Sequence, residues 1–245
     1  EFLADAFSSA DSLNTKNSSN EKPIDVIIGD LNFTNFDVTF NDAVSGIKSH
    51  YIIGLLETEM ETTDFKNMIF EASDVVLSDS QINVTENSNK IESSASDSSV
   101  LPKISTETIS INNVKTHFAL ASDELTAEAH IIRFYASESV VDLKQSIFKA
   151  EMIKLQNSEV SLNMNSENRN NSQNVSQPEA FKWPKVIVDV AQINFDNNNF
   201  KYTLNNAVPR KDVFNPNAIA LKDFTFAAED IGFKDDKATL RVNKL

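Results

Sequence analysis

One strand pattern recurs at a fixed interval of about 78 residues along this chain and constrains its fold more than any other feature. FKNMIFEASDVVLSDSQINV (65–84) lies without gaps beside LKQSIFKAEMIKLQNSEVSL (143–162), so that Phe70 meets Phe148, Ala72 meets Ala150 and Leu77 meets Leu155. A third stretch, LKDFTFAAEDIGFKDDKATL (221–240), takes the same register and puts Phe226, Ala228 and Phe233 in those columns. Later columns hold Ile82 and Val84, then Val160 and Leu162, then Ala238 and Leu240. Apolar residues two apart on either side of a turn indicate half-buried strands rather than a 3.6-residue period. SVVDLKQSIFKAEMIKL (139–155) has helical propensity, but its aligned partner ALKDFTFAAEDIGF is rich in Phe and Thr, and both read as strands.

The upstream halves repeat more loosely. PIDVIIGDLNFTNFDVTF (23–40), PKISTETISINNVKTHF (102–118) and PKVIVDVAQINFDNNNFKY (184–202) each open with Pro and pass through an apolar pair ending at Phe33, Ile111 or Phe195 into an Asn-rich corner. A second alternating strand follows the corner: Phe36, Val38 and Phe40 in the first copy, Phe118 in the second, Phe200 and Tyr202 in the third. A unit reads as strand, corner, strand, variable connection, long strand, turn, strand. Two copies carry a further strand in the variable part, HYIIGLLETEM (50–60) and HIIRFYASESV (130–140). Four to five strands per unit at roughly 4.8 Å spacing would lengthen a sheet by about 20–25 Å per copy, each end strand pairing with the next unit's first. The division is a flexible tail (1–22), repeats at 23–87, 101–164 and 183–245, a Ser-rich connection (88–100) and an Asn/Ser-rich one (165–182). Blades of propellers and hexapeptide helices have shorter periods. With only four glycines, turns fall to Asn, Asp and Ser, which satisfy local backbone groups and tolerate left-handed conformations.

Composition narrows the function. A formal charge of −14 repels phosphate backbones and anionic membrane surfaces, which argues against nucleic acid as a partner. The absence of cysteine removes disulfides, thiolate metal sites and cysteine nucleophiles. There is no glycine-rich phosphate loop, GxSxG, HExxH or EF-hand loop, so no cofactor, metal or enzymatic activity is expected. No apolar run is long enough to span a bilayer as a helix. The chain opens EFLADAF without an initiator methionine and ends NKL in mid-pattern, which reads as a segment of a longer protein whose signal or anchor lies elsewhere.

The third copy, INFDNNNFKYTLNNAVPRKDVFNPNAIALKDFTFAAEDIGFKDDKATLRVNKL, resembles the repeat of TamB-like members of the AsmA family, especially those of Bacteroidota. The shared features are an inner strand running through Asn/Asp into F-x-Y, a charged loop ending in FNPNAIAL, and the amphipathic strands after it. The match is clear over 184–245; residues 23–87 and 101–168 join it through internal similarity. The resemblance implies a long sheet folded lengthwise into a β-taco-like groove with an apolar interior. It also implies an envelope or periplasmic location, an inner-membrane anchor outside this fragment, an outer-membrane β-barrel partner of the TamA/BamA type, and carriage of phospholipid acyl chains toward the outer membrane.

The residues expected to line such a groove are Phe33, Phe36, Val38, Phe40, Phe70, Ala72, Leu77, Ile82, Val84, Ile111, Phe118, Phe148, Ala150, Leu155, Val160, Leu162, Phe195, Phe200, Tyr202, Phe226, Ala228, Phe233 and Leu240. The same columns would equally fill a closed, dry sandwich core in a structural or adhesive β-repeat stalk, because an inward alternating face reads alike in both. An outer-membrane protein assembly factor is a further alternative. Phe65, Leu143 and Leu221 are ambiguous between faces. His50 and His130 align approximately at strand starts and read as solvated strand-edge side chains. Glu57, Glu59 and Glu61 alternate on one face and read as solvated, blunting edge pairing. Asp11-Ser12-Leu13 resembles the O-glycosylation sequon of Bacteroidota periplasmic proteins, with Ser12 the acceptor.

Overall fold

A computed structural model describes residues 28–42, 46–86, 101–121, 124–165, 185–210, 213–234 and 237–244, and over these the chain is all-β. The tail 1–22 with Ser12, the connection 88–100, and all but the first residue of 165–182 lie outside the described residues. Ten strands form one sheet: β1 (Leu31–Asp42), β2 (Ile47–Asp64), β3 (Ile69–Glu86), β4 (Lys103–Leu120), β5 (Leu125–Asp142), β6 (Ile147–Gln156), β7 (Glu159–Met164), β8 (Ile187–Leu204), β9 (Ala218–Lys234) and β10 (Lys237–Lys244). They stand in chain order, with β6 and β7 sharing one line between β5 and β8. Pairing is antiparallel except where β3 meets β4 and where β6 and β7 meet β8. The sheet is therefore three meanders in series, β1 to β3, β4 to β7 and β8 to β10, each last strand pairing in parallel with the next first strand. Equivalent bonds mark the two junctions: Lys103 N–H donates to Met68 O and Ile187 N–H to Ser146 O, at 2.8 and 2.9 Å.

Three expectations need correction. Each unit contributes three strand positions rather than four or five, lengthening the sheet by about 14 Å instead of 20–25 Å. The Asn-rich corners do not separate strands, because β1, β4 and β8 run through them unbroken. The third copy was aligned one strand out: Phe70 and Phe148 stand on third strands, but Phe226 stands on β9, a second strand. The hairpin pairs Thr63 with Phe70 and Phe233 with Ala238, so Ala238 is the counterpart of Phe70. The slip has a physical cause. The first two units join their first and second strands through four residues (43–46 and 121–124), whereas the third uses thirteen (205–217). The stretch before the third unit's first strand (165–186) is also six residues longer than that before the second's (87–102), and together these move β9 into the sequence register of the others' third strands.

What the corners do is fold the sheet. Asn35, Asp79, Asn113, Asn157 and Asn197 have φ of 51°, 49°, 52°, 51° and 54° and lie in line across β1, β3, β4, the β6/β7 junction and β8. Asn and Asp adopt this left-handed conformation at low cost, and one such residue in a strand turns the chain and reverses its alternation. Thus Phe33 and Phe36, three apart, have ring centroids 5.3 Å apart on one face, and Phe195 and Phe200, five apart, are at 5.8 Å. Along the outer ridge Asn113 Nδ2 donates to Asp79 Oδ1 at 2.6 Å and Asn197 Nδ2 to Asn157 Oδ1 at 2.8 Å. A second crease, where the ladder skips Glu107 and Glu138, carries Glu138 and Asp230 at φ 47° and 53°. Two creases divide the long strands into three lengthwise strips.

The inner corner of the first crease is packed by small buried side chains. Ser80 and Ser158, at equivalent places in the first two units, use one device: each hydroxyl donates to the carbonyl two residues back (Ser78, 2.7 Å; Gln156, 2.8 Å) and accepts an N–H from the neighbouring strand (Gly54, 3.2 Å; Ile132, 3.0 Å). Gly54 is required there, since a Cβ would sit 2.5 Å from the Asp79 carbonyl oxygen and 3.0 Å from that of Ser78. Gly54→Ala is expected to cost about 1–3 kcal/mol as overpacking against backbone, read as a lower denaturation midpoint at unchanged slope.

Candidate functional site

The pairing registers carry each apolar column straight across the sheet. The middle strip has Phe33, Leu56, Leu77, Ile111, Phe134, Leu155, Phe195 and Phe226 in one row, each paired with the next. Beside it runs Leu31, Thr58, Val75, Ile109, Ala136, Ile153, Ile193, Ala228 and Val242. Beyond the second crease one flanking strip holds Phe70, Ile104, Val141, Phe148, Val188, Phe233 and Ala238. Beyond the first crease the other holds Val38, Tyr51, Ile82, Thr116, Ala129, Val160, Phe200 and Leu221, followed by Phe40, Ser49, Val84, Phe118, Ala127, Leu162, Tyr202 and Ile219. Phe36, Ala72, Ala150 and Leu240 stand at the creases between strips. Every groove residue named from the sequence thus falls on one face. Leu221 joins them, whereas Phe65 and Leu143 lie in turns.

This face is inside the fold lines, because the side chains next to the left-handed residues are buried: Val114 and Ser80 are each 2% exposed, and Ser158 and Asn198 are fully covered. Away from the creases it is not covered. Phe33 and Phe148 are each 38% exposed, although their neighbours in the rows are apolar, and Phe40 on the edge strand is 58% exposed. Among the described residues all ten strands belong to one sheet, whose order is open, with β1 and β10 at its edges. The arrangement is a trough with three apolar strips as floor and walls and no opposing protein layer among the described residues.

The aromatic rings cluster at the β8/β9 end. Phe195, Phe200, Phe224 and Phe226 form a connected set with centroid distances from 5.8 to 6.3 Å, gathered where the left-handed residues Asn197 and Asp223 bring both strips together. Such rings supply large apolar area with defined edge-to-face and stacked geometry.

The other face is polar. One of its rows, Asn32, Glu57, Val76, Ser110, Tyr135, Lys154 and Asn194, backs the middle strip, with Lys154 Nζ 5.8 Å from the Tyr135 ring centroid. Glu57, Glu59 and Glu61 are exposed there, as read from the sequence. The histidines bridge strands singly: His50 Nε2 lies 2.8 Å from Asp37 Oδ1, His117 Nδ1 3.2 Å from Glu128 Oε1, and His130 Nε2 3.3 Å from Asn113 Oδ1. His50 shares a cross-strand row with His117 and not with His130. At the β2/β3 turn the Asn67 side-chain amide, with its backbone N–H, holds the Asp64 carboxyl below the usual carboxylate range. Among the described residues no group of three His, Cys, Asp or Glu side chains is placed to hold a metal.

Sequence reasoning missed two features. Nothing in the alternating pattern marks Ser80, Ser158 and Asn198 as buried, although the two serines stand in the same column of the repeat. The 205–217 loop was read only as charged. Compared with known proteins, the chain matches no family model, no curated protein and no solved structure.

Proposed function

We propose that this chain is a segment of a non-enzymatic lipid conduit, its trough holding acyl chains and passing them along the rows from strand to strand. The observation that carries the reading is the middle apolar row, unbroken from Phe33 on β1 to Phe226 on β9, in a face left partly uncovered. Eight spacings of about 4.8 Å give a trough roughly 38 Å long, more than the roughly 30 Å hydrocarbon core of a bilayer. Each methylene taken from water is worth about 0.8 kcal/mol, so a sixteen-carbon chain crossing bare water meets a barrier on the order of 12 kcal/mol. A continuous apolar wall lowers that barrier, and near-equal rows in series avoid a deep trap.

Width favours the same reading. In β4 the middle strip spans residues 107–112, about 20 Å of strand, twice the roughly 10 Å at which two sheets interlock. Walls set that far apart leave room for hydrocarbon between their side chains. A closed, dry stalk would need those walls meshed, and rings exposed as Phe148 and Phe40 are weigh against it. The resemblance to AsmA/TamB-like proteins, with its implied envelope location and membrane partners, belongs to this proposal.

The test is site-specific photocrosslinking of purified protein together with mass spectrometry of co-purified lipid. A photoreactive residue at Phe195 or Phe148 is expected to capture phospholipid, while one at Asn194 or Lys154, on the opposite face, is not. Equal labelling of both faces, or no lipid at all, overturns the conduit.

A further inference from the structure

The thirteen-residue loop 205–217 does something the fold does not need, since the first two units close the same connection in four residues. Its base is pinned: Leu204 N–H donates to Asn217 O at 2.8 Å and Ala207 N–H to Leu204 O at 3.1 Å. Asn215 Nδ2 ties the two limbs together by donating to Val208 O at 3.2 Å, and its Oδ1 accepts the Asn217 N–H at 3.1 Å. On the described limbs of the loop, 205–210 and 213–217, three large apolar side chains stand in solvent, with Val208 72%, Val213 63% and Phe214 78% exposed. They are among the most exposed large apolar side chains of the described residues, and they cluster in one loop. Loops built on a rigid sheet, with conformation fixed by internal bonds and apolar side chains held outward, are where binding elements concentrate.

We infer that this loop docks on a lipid bilayer surface, with Val208, Val213 and Phe214 entering the interface. Three features favour a bilayer over a protein. The tip offers a few hundred Å² of apolar area at most, well short of the roughly 800 Å² per partner of a stable protein interface, whereas a few inserted side chains give measurable interfacial binding. Arg210 beside the tip gives this part of a chain of charge −14 a cation to set among phosphates. The loop rises from the ends of β8 and β9, where Tyr202, Leu204 and Ile219 finish the wall of the trough, so docking brings an open rim of the apolar face to the hydrocarbon boundary. The inference goes beyond the conduit reading and stands or falls separately from it.

Flotation with vesicles of phosphatidylcholine and phosphatidylethanolamine tests it. The unaltered chain is expected to float with the vesicles. Val213→Ser/Phe214→Ser is expected to lower the partition coefficient at least tenfold, and so is replacement of 205–217 by Ala-Ser-Asp-Glu, the connection of the second unit. Circular dichroism is expected to show that both variants keep their strands. Lipid capture from position 195 in detergent is expected to be unchanged in both, so loss of that capture in the unaltered chain would count against the conduit and not the loop. Vesicle binding that is absent, or equal in all three proteins, overturns the inference. So does a protein rather than a vesicle retained by the loop.

Discussion

Replacing Asn198 by valine is expected to lower stability by about 2–5 kcal/mol, through two buried backbone groups losing their partners at about 1–3 kcal/mol each. Asn198 is fully buried at the first crease, where its Oδ1 accepts the Ser158 N–H at 2.9 Å and its Nδ2 donates to Leu155 O at 2.8 Å. Those two groups need a side chain because the strand line is broken there into β6 and β7. The break has its cause across the ladder. The ladder lapses at the same place in both units, Ile53–Gly54 against Asp79–Ser80 and Ile131–Ile132 against Asn157–Ser158. In the first unit, however, Gly54 leaves no room for a Cβ and Ser80 still pairs with Val114 on its other side, whereas the second unit has Ile132 and Ser158 does not pair with Asn198. We attribute the missing Ser158–Asn198 pair to the isoleucine side chain, which presses on Asn157–Ser158 from across the ladder where the first unit has only a hydrogen. Asn198 then fills the role that the Ser80–Val114 pair plays in the first unit, where Val114 has no polar side chain to offer.

This account makes the two sites interdependent. Ile132→Gly in the Asn198→Val background is expected to recover at least about 1 kcal/mol, because the strand can close as β3 does, although glycine in a strand carries its own cost. Denaturation midpoints of the wild type, both single variants and the double variant give the coupling directly. Strictly additive costs would mean that Ile132 does not cause the break.

How far the sequence announced all this depends on what each residue type can signal. Alternation of Phe, Val, Leu and Ile was enough to place the whole set of groove residues on one face, because side-chain direction in a strand follows from parity alone. The Asn-rich segments were legible as points where parity changes. Their role was not, since a left-handed Asn serves equally well in a turn that ends a strand and in a crease that the strand survives. The third unit was misaligned because every strand carries similar alternation, so a gapless match tolerates a slip of one strand when a connecting loop grows. Ser158 and Asn198 were invisible for another reason: polar residues in a strand pattern read as solvent-facing unless the fold is known to bury them. Whether the apolar face is covered was beyond reach in principle, since a lone trough and one half of a sandwich share the same pattern.

The uncovered face also sets the largest expected effect on function. Phe148→Asp is expected to reduce phospholipid capture from a photoreactive residue at position 195 roughly a hundredfold while leaving the sheet folded. Phe148 lies in the flanking strip between Val141 and Val188 and is already 38% exposed, so the fold gives up little when the ring is removed. For hydrocarbon in the trough the change is severe. A carboxylate within an apolar path costs about 2.5–3.5 kcal/mol, and about 1.4 kcal/mol is a factor of ten. Hydrocarbon seated over position 148 shuts out the solvent that the open trough otherwise gives it, and aspartate is too short to snorkel past the wall, so the charge stays in the path. Asn194→Asp, which adds the same charge on the polar face, is expected to leave capture unchanged. The sign with pH follows from the site: apolar surroundings raise the pKa of the introduced carboxyl, so acidification neutralises it and capture recovers as pH falls, in the variant alone. Equal loss in both variants would trace the effect to net charge rather than to a blocked trough. No loss in the Phe148 variant would mean that lipid does not use this face.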